Sequence, residues 1–367
     1  MRLRPLIVPV FIPHAGCPHR CVFCNQAAVT SCADPLPTPE ALRGHVAAFL
    51  RFCGRQRSAT QIAFFGGNFL GVAEDRLRTL LAEAARFVRS GQVQSIRFST
   101  RPDTVTPRTL ELIAPFPVHT VELGAQSMNA EVLTRSRRGH SPADTLNAGR
   151  MLQDRGYEVG LQIMVGLPGD DEERLLQTGR AVAGLKPDFV RIYPTLVLSG
   201  SRLATLYRRG SYCPLPLDTA VSLTLKLYRL FRAHGVPVIR MGLQASRDLA
   251  PGGSVLAGPY HPAFGYLVQC AAFLETVRSA LGSPGFSGGG LTLCVHPRSI
   301  SRMRGLCNAT IGTLQREYGF ERVDVSADST LTEDQIRVGG TACVPAFEWK
   351  GSAYPPWNTE GAVTSLS

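Results

Sequence analysis

The sequence predicts an α/β protein built on a parallel sheet with helices outside it. Short apolar runs of strand length alternate with stretches whose apolar residues recur at helical spacing, from residue 6 to residue 193. Gly and Pro punctuate the joins. No apolar run reaches the roughly 18 residues of a membrane span, so the alternation belongs to a packed domain.

In order, 6–12 reads as a strand that leads into a long loop carrying cysteines, and 40–52 reads as a helix. A strand over 61–65 ends in Gly66-Gly67 and is followed by a helix over 74–88. Next come a strand over 95–99 and a short helix opened by Pro107, since Pro suits a first helical turn. A strand over 120–123 precedes a helix over 143–155 that stops at Gly156. The strand over 158–165 is stopped by Gly166-Leu167-Pro168-Gly169, and a helix over 171–185 leads to a strand over 189–193. Six βα units in succession give either a barrel or an open doubly wound sheet. Beyond them lie a helix over 218–234, a strand over 236–240 and the turn-rich stretch 258–264. A smaller region is opened by Ser287 and Gly288-Gly289-Gly290, and the tail from Pro345 is rich in Pro, Gly, Ser and Thr.

A chain of 367 residues exceeds the size at which single cores stop growing, about 250–300 residues, so a second, smaller unit is expected. The basic start, Met1 to Arg4, and the apolar run after it resemble a secretion signal. Pro9 and Pro13 interrupt the run and it enters a cysteine cluster, so it is read as the first strand of a cytoplasmic protein without a membrane partner. The net charge of +11 suits RNA or an anionic small substrate; scattered arginines on a solvated face explain it equally well.

Three of the ten cysteines, Cys17, Cys21 and Cys24, fall within eight residues. Such a triplet without a secretion signal points to metal in a reducing compartment. Three thiolates on a short loop can hold three irons of a [4Fe-4S] cubane and leave the fourth open. Zinc is the alternative, with His14 or His19 as fourth ligand; Cys32 as fourth ligand would instead make an electron carrier.

The pattern Cys17-x3-Cys21-x2-Cys24 after a first strand, with Phe23 before the last cysteine, resembles the radical S-adenosylmethionine (SAM) superfamily. That resemblance implies a partial (β/α)6 TIM-like barrel with a smaller C-terminal α+β extension. It also implies SAM chelated at the open iron, a 5′-deoxyadenosyl radical from its reductive cleavage, and an electron donor such as flavodoxin or ferredoxin. The corresponding divisions are a core over 1–200, an extension over 201–284 that closes the barrel, a small α+β region over 285–344, and a poorly ordered tail over 345–367.

Four strand ends carry further parts of the resemblance. Phe64-Phe65-Gly66-Gly67-Asn68 resembles the family's Gly-Gly-Glu stretch for the methionyl amino group, with Asn68 where Glu is usual. Val121-Glu122-Leu123-Gly124-Ala125-Gln126-Ser127 resembles the E-x-G-x-Q-S stretch of the oxygen-independent coproporphyrinogen III oxidases and of the Elongator catalytic subunit, with Glu122 or Gln126 on the ribose hydroxyls. Arg138-Gly139-His140, Gln162 to Gly169 with Gly166 admitting adenine, and Arg191-Ile192-Tyr193-Pro194 match the same relatives. Arg101 is a candidate for the SAM carboxylate or a partner of Asp103. Glu122 is equally a core carboxylate for Arg97 or Arg191.

The resemblance runs from residue 5 to about 270 and is nearest to bacterial Elongator-catalytic-subunit-like proteins. Too few residues follow 285 for an acetyltransferase domain, which puts carboxymethyl transfer to tRNA in doubt. Asn25 follows Cys24 where the oxidases have a fourth cysteine. Arg240 to Gln244 and Gly258 to Phe264 are expected to close the side of the barrel where substrate sits. Tyr260 and His261 there are substrate groups or builders of a Pro-rich turn. The predicted function is a radical SAM enzyme acting on tRNA, other RNA or another anionic molecule. Arg135, Arg137, Arg138, Arg208 and Arg209 are the candidate phosphate contacts. The alternatives are a non-catalytic iron–sulfur or zinc protein that binds nucleic acid, and a coproporphyrinogen-oxidase-like enzyme on a small substrate.

Overall fold

The computed structural model describes residues 6–26, 36–52, 60–244, 249, 252–282, 289–339 and 343–347. Cys32, Cys53, Ser287 and the tail beyond Phe347 lie outside them.

Seven parallel strands form the main sheet. They are β1 (Leu6–Ile12), β2 (Thr60–Gly66), β3 (Ser95–Thr100), β4 (Val118–Gln126), β5 (Glu158–Val165), β6 (Phe189–Pro194) and β8 (Val238–Met241), in that spatial order. No pairing joins β1 to β8 among the described residues, so the sheet is a curled, open barrel. Between the strands run α1 (Pro39–Phe52), α2 (Glu74–Arg89), α3 (Pro107–Ile113), α4 (Ala130–Arg135), α5 (Pro142–Asp154), α6 (Glu172–Gly184), α7 (Arg202–Arg208) and α8 (Leu217–Ala233).

The two faces of the sheet differ in chemistry, because successive side chains on a strand point opposite ways. One face carries Val8, Ile62, Phe64, Ile96, Phe98, Val121, Leu161 and Ile192, all fully buried against Leu42, Leu77, Leu81, Leu152 and Leu227 of the helices. The other lines the lumen and carries Gln61, Phe65, Arg97, Ser99, Glu122, Gln162, Arg191 and Tyr193 in adjacent register. Thr106 and Ser141 start α3 and α5 with capping boxes, and each is followed by Pro at the first helical position.

The core does not end at residue 200. α8 packs with Leu223, Leu227 and Phe231 into the main core, and β8 hydrogen-bonds in parallel to β6 as a seventh strand. A short antiparallel ribbon, β7 (Val197–Leu198) with β9 (Val255–Ala257), stands just beyond the carboxyl end of β6. α9 (Phe264–Leu281) then carries a second core made with a four-stranded sheet. Its strands are β10 (Gly290–Val295), β11 (Arg322–Ala327), β12 (Gln335–Val338) and β13 (Cys343–Pro345), with α10 (Ile300–Arg304) and α11 (Ala309–Tyr318) alongside. The predicted tail therefore starts too early: Pro345 closes β13, and Ala346 and Phe347 are buried in this second core.

Candidate active site at the carboxyl end of the barrel

The cysteine loop leaves β1 at the carboxyl end of the strands, where open α/β sheets hold their chemistry. Backbone bonds fasten it on three sides. Asn68 N donates to Ala15 O at 2.7 Å, Val22 N to Ser136 O at 3.1 Å, and Leu203 N to Val22 O at 2.7 Å. Asn25 Nδ2 donates to Ser199 O at 2.6 Å, and Gln26 bonds the Gly66 carbonyl and the His14 amide. The loop thus spans from β1 and β2 to the segment after β6.

Cys21 is buried, and Cys17 and Cys24 are partly so. Burial, and secondarily the charge of Cys21, push the Cys17 thiol up; the same causes push Cys24 up to about 12. Among the described residues no three His, Cys, Asp or Glu side chains converge closely enough to share one metal ion.

Arg138 decides the electrostatics. Its guanidinium is 6% exposed; Nη1 donates to Cys21 Sγ at 3.0 Å, Nη2 donates to Gly124 O, and Nε is buried without a partner. Among the described residues no carboxylate pairs with it. A buried cation without an anion is costly, so the thiols beside it fit ligation as thiolates in an anionic cluster. Gly124 leaves room for both side chains: a β-carbon would stand 2.9 Å from Gln126 Nε2 and 3.3 Å from Arg138 Nη2. His140 lies alongside, pushed down to about 4 by burial and by Arg138.

The predicted cofactor residues divide into distinct groups. Gln126 sits in a left-handed backbone conformation, φ 66°, where the pairing of β4 with β5 shifts register, and its Oε1 is buried without a partner. A bulge that re-aims a side chain with a spare acceptor suits a ligand hydroxyl. Glu122, by contrast, is 0% exposed and saturated. Arg97 Nη2 donates to its Oε1 at 2.5 Å, Arg191 Nη2 to Oε1 at 3.1 Å, and Gln162 Nε2 to Oε2 at 3.0 Å. Glu122, Gln162 and Arg191 therefore form one lumen network.

Asn68 is a bolt inside the protein, not an open acceptor. Its Oδ1 accepts from Thr100 Oγ1 at 2.7 Å, Arg101 N at 2.9 Å and Thr104 Oγ1 at 2.9 Å, while Nδ2 donates to Gly16 O at 2.9 Å. Arg101 is engaged bidentately by Asp103 at 2.9 and 3.0 Å, so its fork is taken. Gly67 packs against the cysteine loop, and Gly166 lines a cleft with Leu167, Tyr212 and Leu215. A β-carbon on Gly67 would stand 2.3 Å from Ala15 O and 2.6 Å from Ile12 O, and one on Gly166 would stand 2.7 Å from Leu215 Cδ1. Gly66 offers its carbonyl to Gln26.

Two of the candidate phosphate contacts are engaged elsewhere: Arg138 is buried, and Arg135 pairs with Glu131 at 2.6 Å. Arg137, Arg208 and Arg209 are exposed. His261 Nδ1 accepts from Ala263 N at 3.0 Å, and Tyr260 packs with Leu196, Leu198 and Leu249, so both build the turn before α9. Arg138 sits in a recognised motif, but nothing local marks it as a buried partner of Cys21. Gln26 and Asn25 carry no spacing signal at all.

The sequence profile of the radical SAM superfamily matches residues 11–182, and that of the radical SAM C-terminal domain matches residues 187–275. A tRNA uridine(34) acetyltransferase of Methanocaldococcus infernus is 26% identical over 254 residues, 59% of this chain and 47% of that protein. One from Dehalococcoides mccartyi is 28% identical over 248 residues, covering 59% and 54%. Elongator complex protein 3 of Schizosaccharomyces pombe is 26% identical over 258 residues, covering 62% and 47%. The chain spans about half the length of these curated relatives. In fold, it is similar to the archaeal Methanocaldococcus infernus Elp3 with a TM-score of 0.57 at 22% identity, over 76% of this chain and 63% of that one. The chain belongs to the radical SAM superfamily, enzymes that work with a [4Fe-4S] cluster and S-adenosylmethionine.

Proposed function

We propose that the chain binds its cluster through Cys17, Cys21 and Cys24 and acts on RNA, with tRNA as the substrate class. The observation that carries the ligand set is the buried Arg138 guanidinium on Cys21 Sγ, with no carboxylate among the described residues to neutralise it. Held by these three thiolates, a [4Fe-4S] cluster would supply the low-potential electron for reductive cleavage of SAM. The chain's own residues hold and shield. The loop bonds to β2, to Ser136 and to Leu203 set the spacing of the thiols. The Gln126 Oε1 acceptor, unpartnered at the β4 bulge, receives a ribose hydroxyl. The ribbon of β7 and β9 screens the mouth beside β6.

The RNA reading is supported by the names of the tRNA-modifying relatives, by the net charge of +11, and by exposed Arg137, Arg208 and Arg209. A low-potential electron donor is the second partner, and a reducing cytoplasm is the compartment that suits exposed free thiols such as Cys213. The test is anaerobic iron–sulfur reconstitution, then dithionite and SAM, with detection of 5′-deoxyadenosine. Cys17→Ala, Cys21→Ala and Cys24→Ala are each expected to lose the visible thiolate-to-iron absorbance and the product, while Cys213→Ala keeps both. Full loading in any one of the three variants removes that cysteine from the ligand set.

A further inference from the structure

We propose that the lumen face of β6 and β8 seats a phosphate of the substrate, held by Arg240 beside the charge of Arg191. The proposal rests on the reading of the chain as an RNA-directed enzyme and names the part of the substrate that enters the barrel.

Arg97, Arg191 and Arg240 share the lumen face, since Arg191 is the register partner of Gln162 on one side and of Arg240 on the other. Among the described residues Glu122 is the one carboxylate that pairs with any of them. Glu122 neutralises one guanidinium, so the face keeps positive charge in excess. Arg191 and Arg240 also stand opposite each other on neighbouring strands, an arrangement that repels unless an anion bridges it. Arg191 is committed to Glu122 and stacks over Phe65 at 5.4 Å, whereas among the described residues Arg240 meets one neutral acceptor, Gln244 Oε1, at 3.3 Å. Most of the Arg240 fork is unspent, and that fork matches phosphate bidentately.

Two further features favour a nucleotide over a bare ion. Phe11 and Phe65 are register partners on the same face, and Phe11 is 38% exposed, so a base has an aromatic surface on which to stack. β8 is the last strand of the open barrel, so Arg240 stands on its outermost strand.

The test uses reconstituted enzyme with SAM bound and compares uridine 5′-monophosphate, uridine and inorganic phosphate by calorimetry. The nucleotide is expected to bind at least tenfold more tightly than the nucleoside. Arg240→Gln is expected to erase that difference, and Arg240→Lys to keep part of it, with SAM affinity and cluster absorbance unchanged in both. Equal affinities for nucleotide and nucleoside in the wild type overturn the proposal. So does an Arg240→Gln variant that weakens SAM instead, which would assign the surplus charge to the SAM carboxylate. Inorganic phosphate bound as tightly as the nucleotide would reduce the seat to an anion site and overturn the nucleotide assignment. Failure of the wild type to form 5′-deoxyadenosine would strike the radical SAM reading alone, because nucleotide affinity is measured without turnover.

Discussion

At the scale of single residues, the site is governed by where buried arginines find their anions. Among the described residues the Arg138 guanidinium meets Cys21 Sγ and a carbonyl but no carboxylate, so the cluster-free protein carries a buried cation without a counter-charge. Arg138→Met should therefore stabilise the cluster-free fold, by roughly 1–3 kcal/mol in urea denaturation. The same change should lower the reduction potential of the bound cluster, because it removes a hydrogen bond and a positive charge from a thiolate. A destabilised cluster-free variant with an unchanged potential in an EPR-monitored redox titration would reduce Arg138 to a tie for Gly124. Glu122 is the reverse case, one carboxylate holding the buried Arg97 and the partly buried Arg191. Glu122→Gln keeps the shape and strands both charges, at a cost of about 3–5 kcal/mol in equilibrium unfolding. Unchanged stability with weakened SAM binding would return Glu122 to the ribose.

At the scale of elements, the cysteine loop and the β2 turn behave as one piece. Gly67 lies against the backbone at Ile12 and Ala15, and Asn68 ties that turn to Gly16 and to the start of the turn after β3. The sequence reading casts Gly67 as a close approach to SAM, which would make Gly67→Val a ligand-binding variant with an intact cluster. The packing changes that expectation. The valine side chain must displace backbone, which does not yield as a flexible side-chain tip does, so Gly67→Val should lower cluster loading per chain while the far-ultraviolet circular dichroism stays native. Full iron content with weak SAM binding would restore the first reading. Strand positions were legible because a short apolar run bounded by turn residues leaves little choice: β1 and β5 fall where the pattern puts them. β4 was read too short. Its last residues, Gly124 to Gln126, continue through a bulge that no propensity scale announces.

At the scale of the whole molecule, charge is the testable quantity. If RNA is the substrate, log affinity should fall linearly with log salt, with a slope of about −0.7 to −0.9 per phosphate neutralised. Arg208→Gln with Arg209→Gln should lower that slope by about 2 in filter binding of tRNA. Equal weak retention of tRNA and a neutral polymer at low salt would leave the +11 charge as a property of the surface only. Among the described residues no helix is long and apolar enough to cross a membrane.

The sequence by itself determined the order of strands and helices and the grouping of three cysteines on one loop. Those features are local, written in hydrophobic period and in spacings of a few residues. It also carried the family resemblance, through motifs that each sit at a strand end. Only the tertiary structure decided which partners those motif residues take. Glu122 lies 25 residues from Arg97 and 69 from Arg191, and Cys21 lies 117 from Arg138. Register across the sheet and the crossing of the loop over the barrel mouth create these contacts, and a carboxylate or a guanidinium acquires its role only from the charge brought beside it. For the same reason the core extends to β8: the seventh strand has an ordinary sequence, and its place is set by the hydrogen-bonding edge that β6 leaves free.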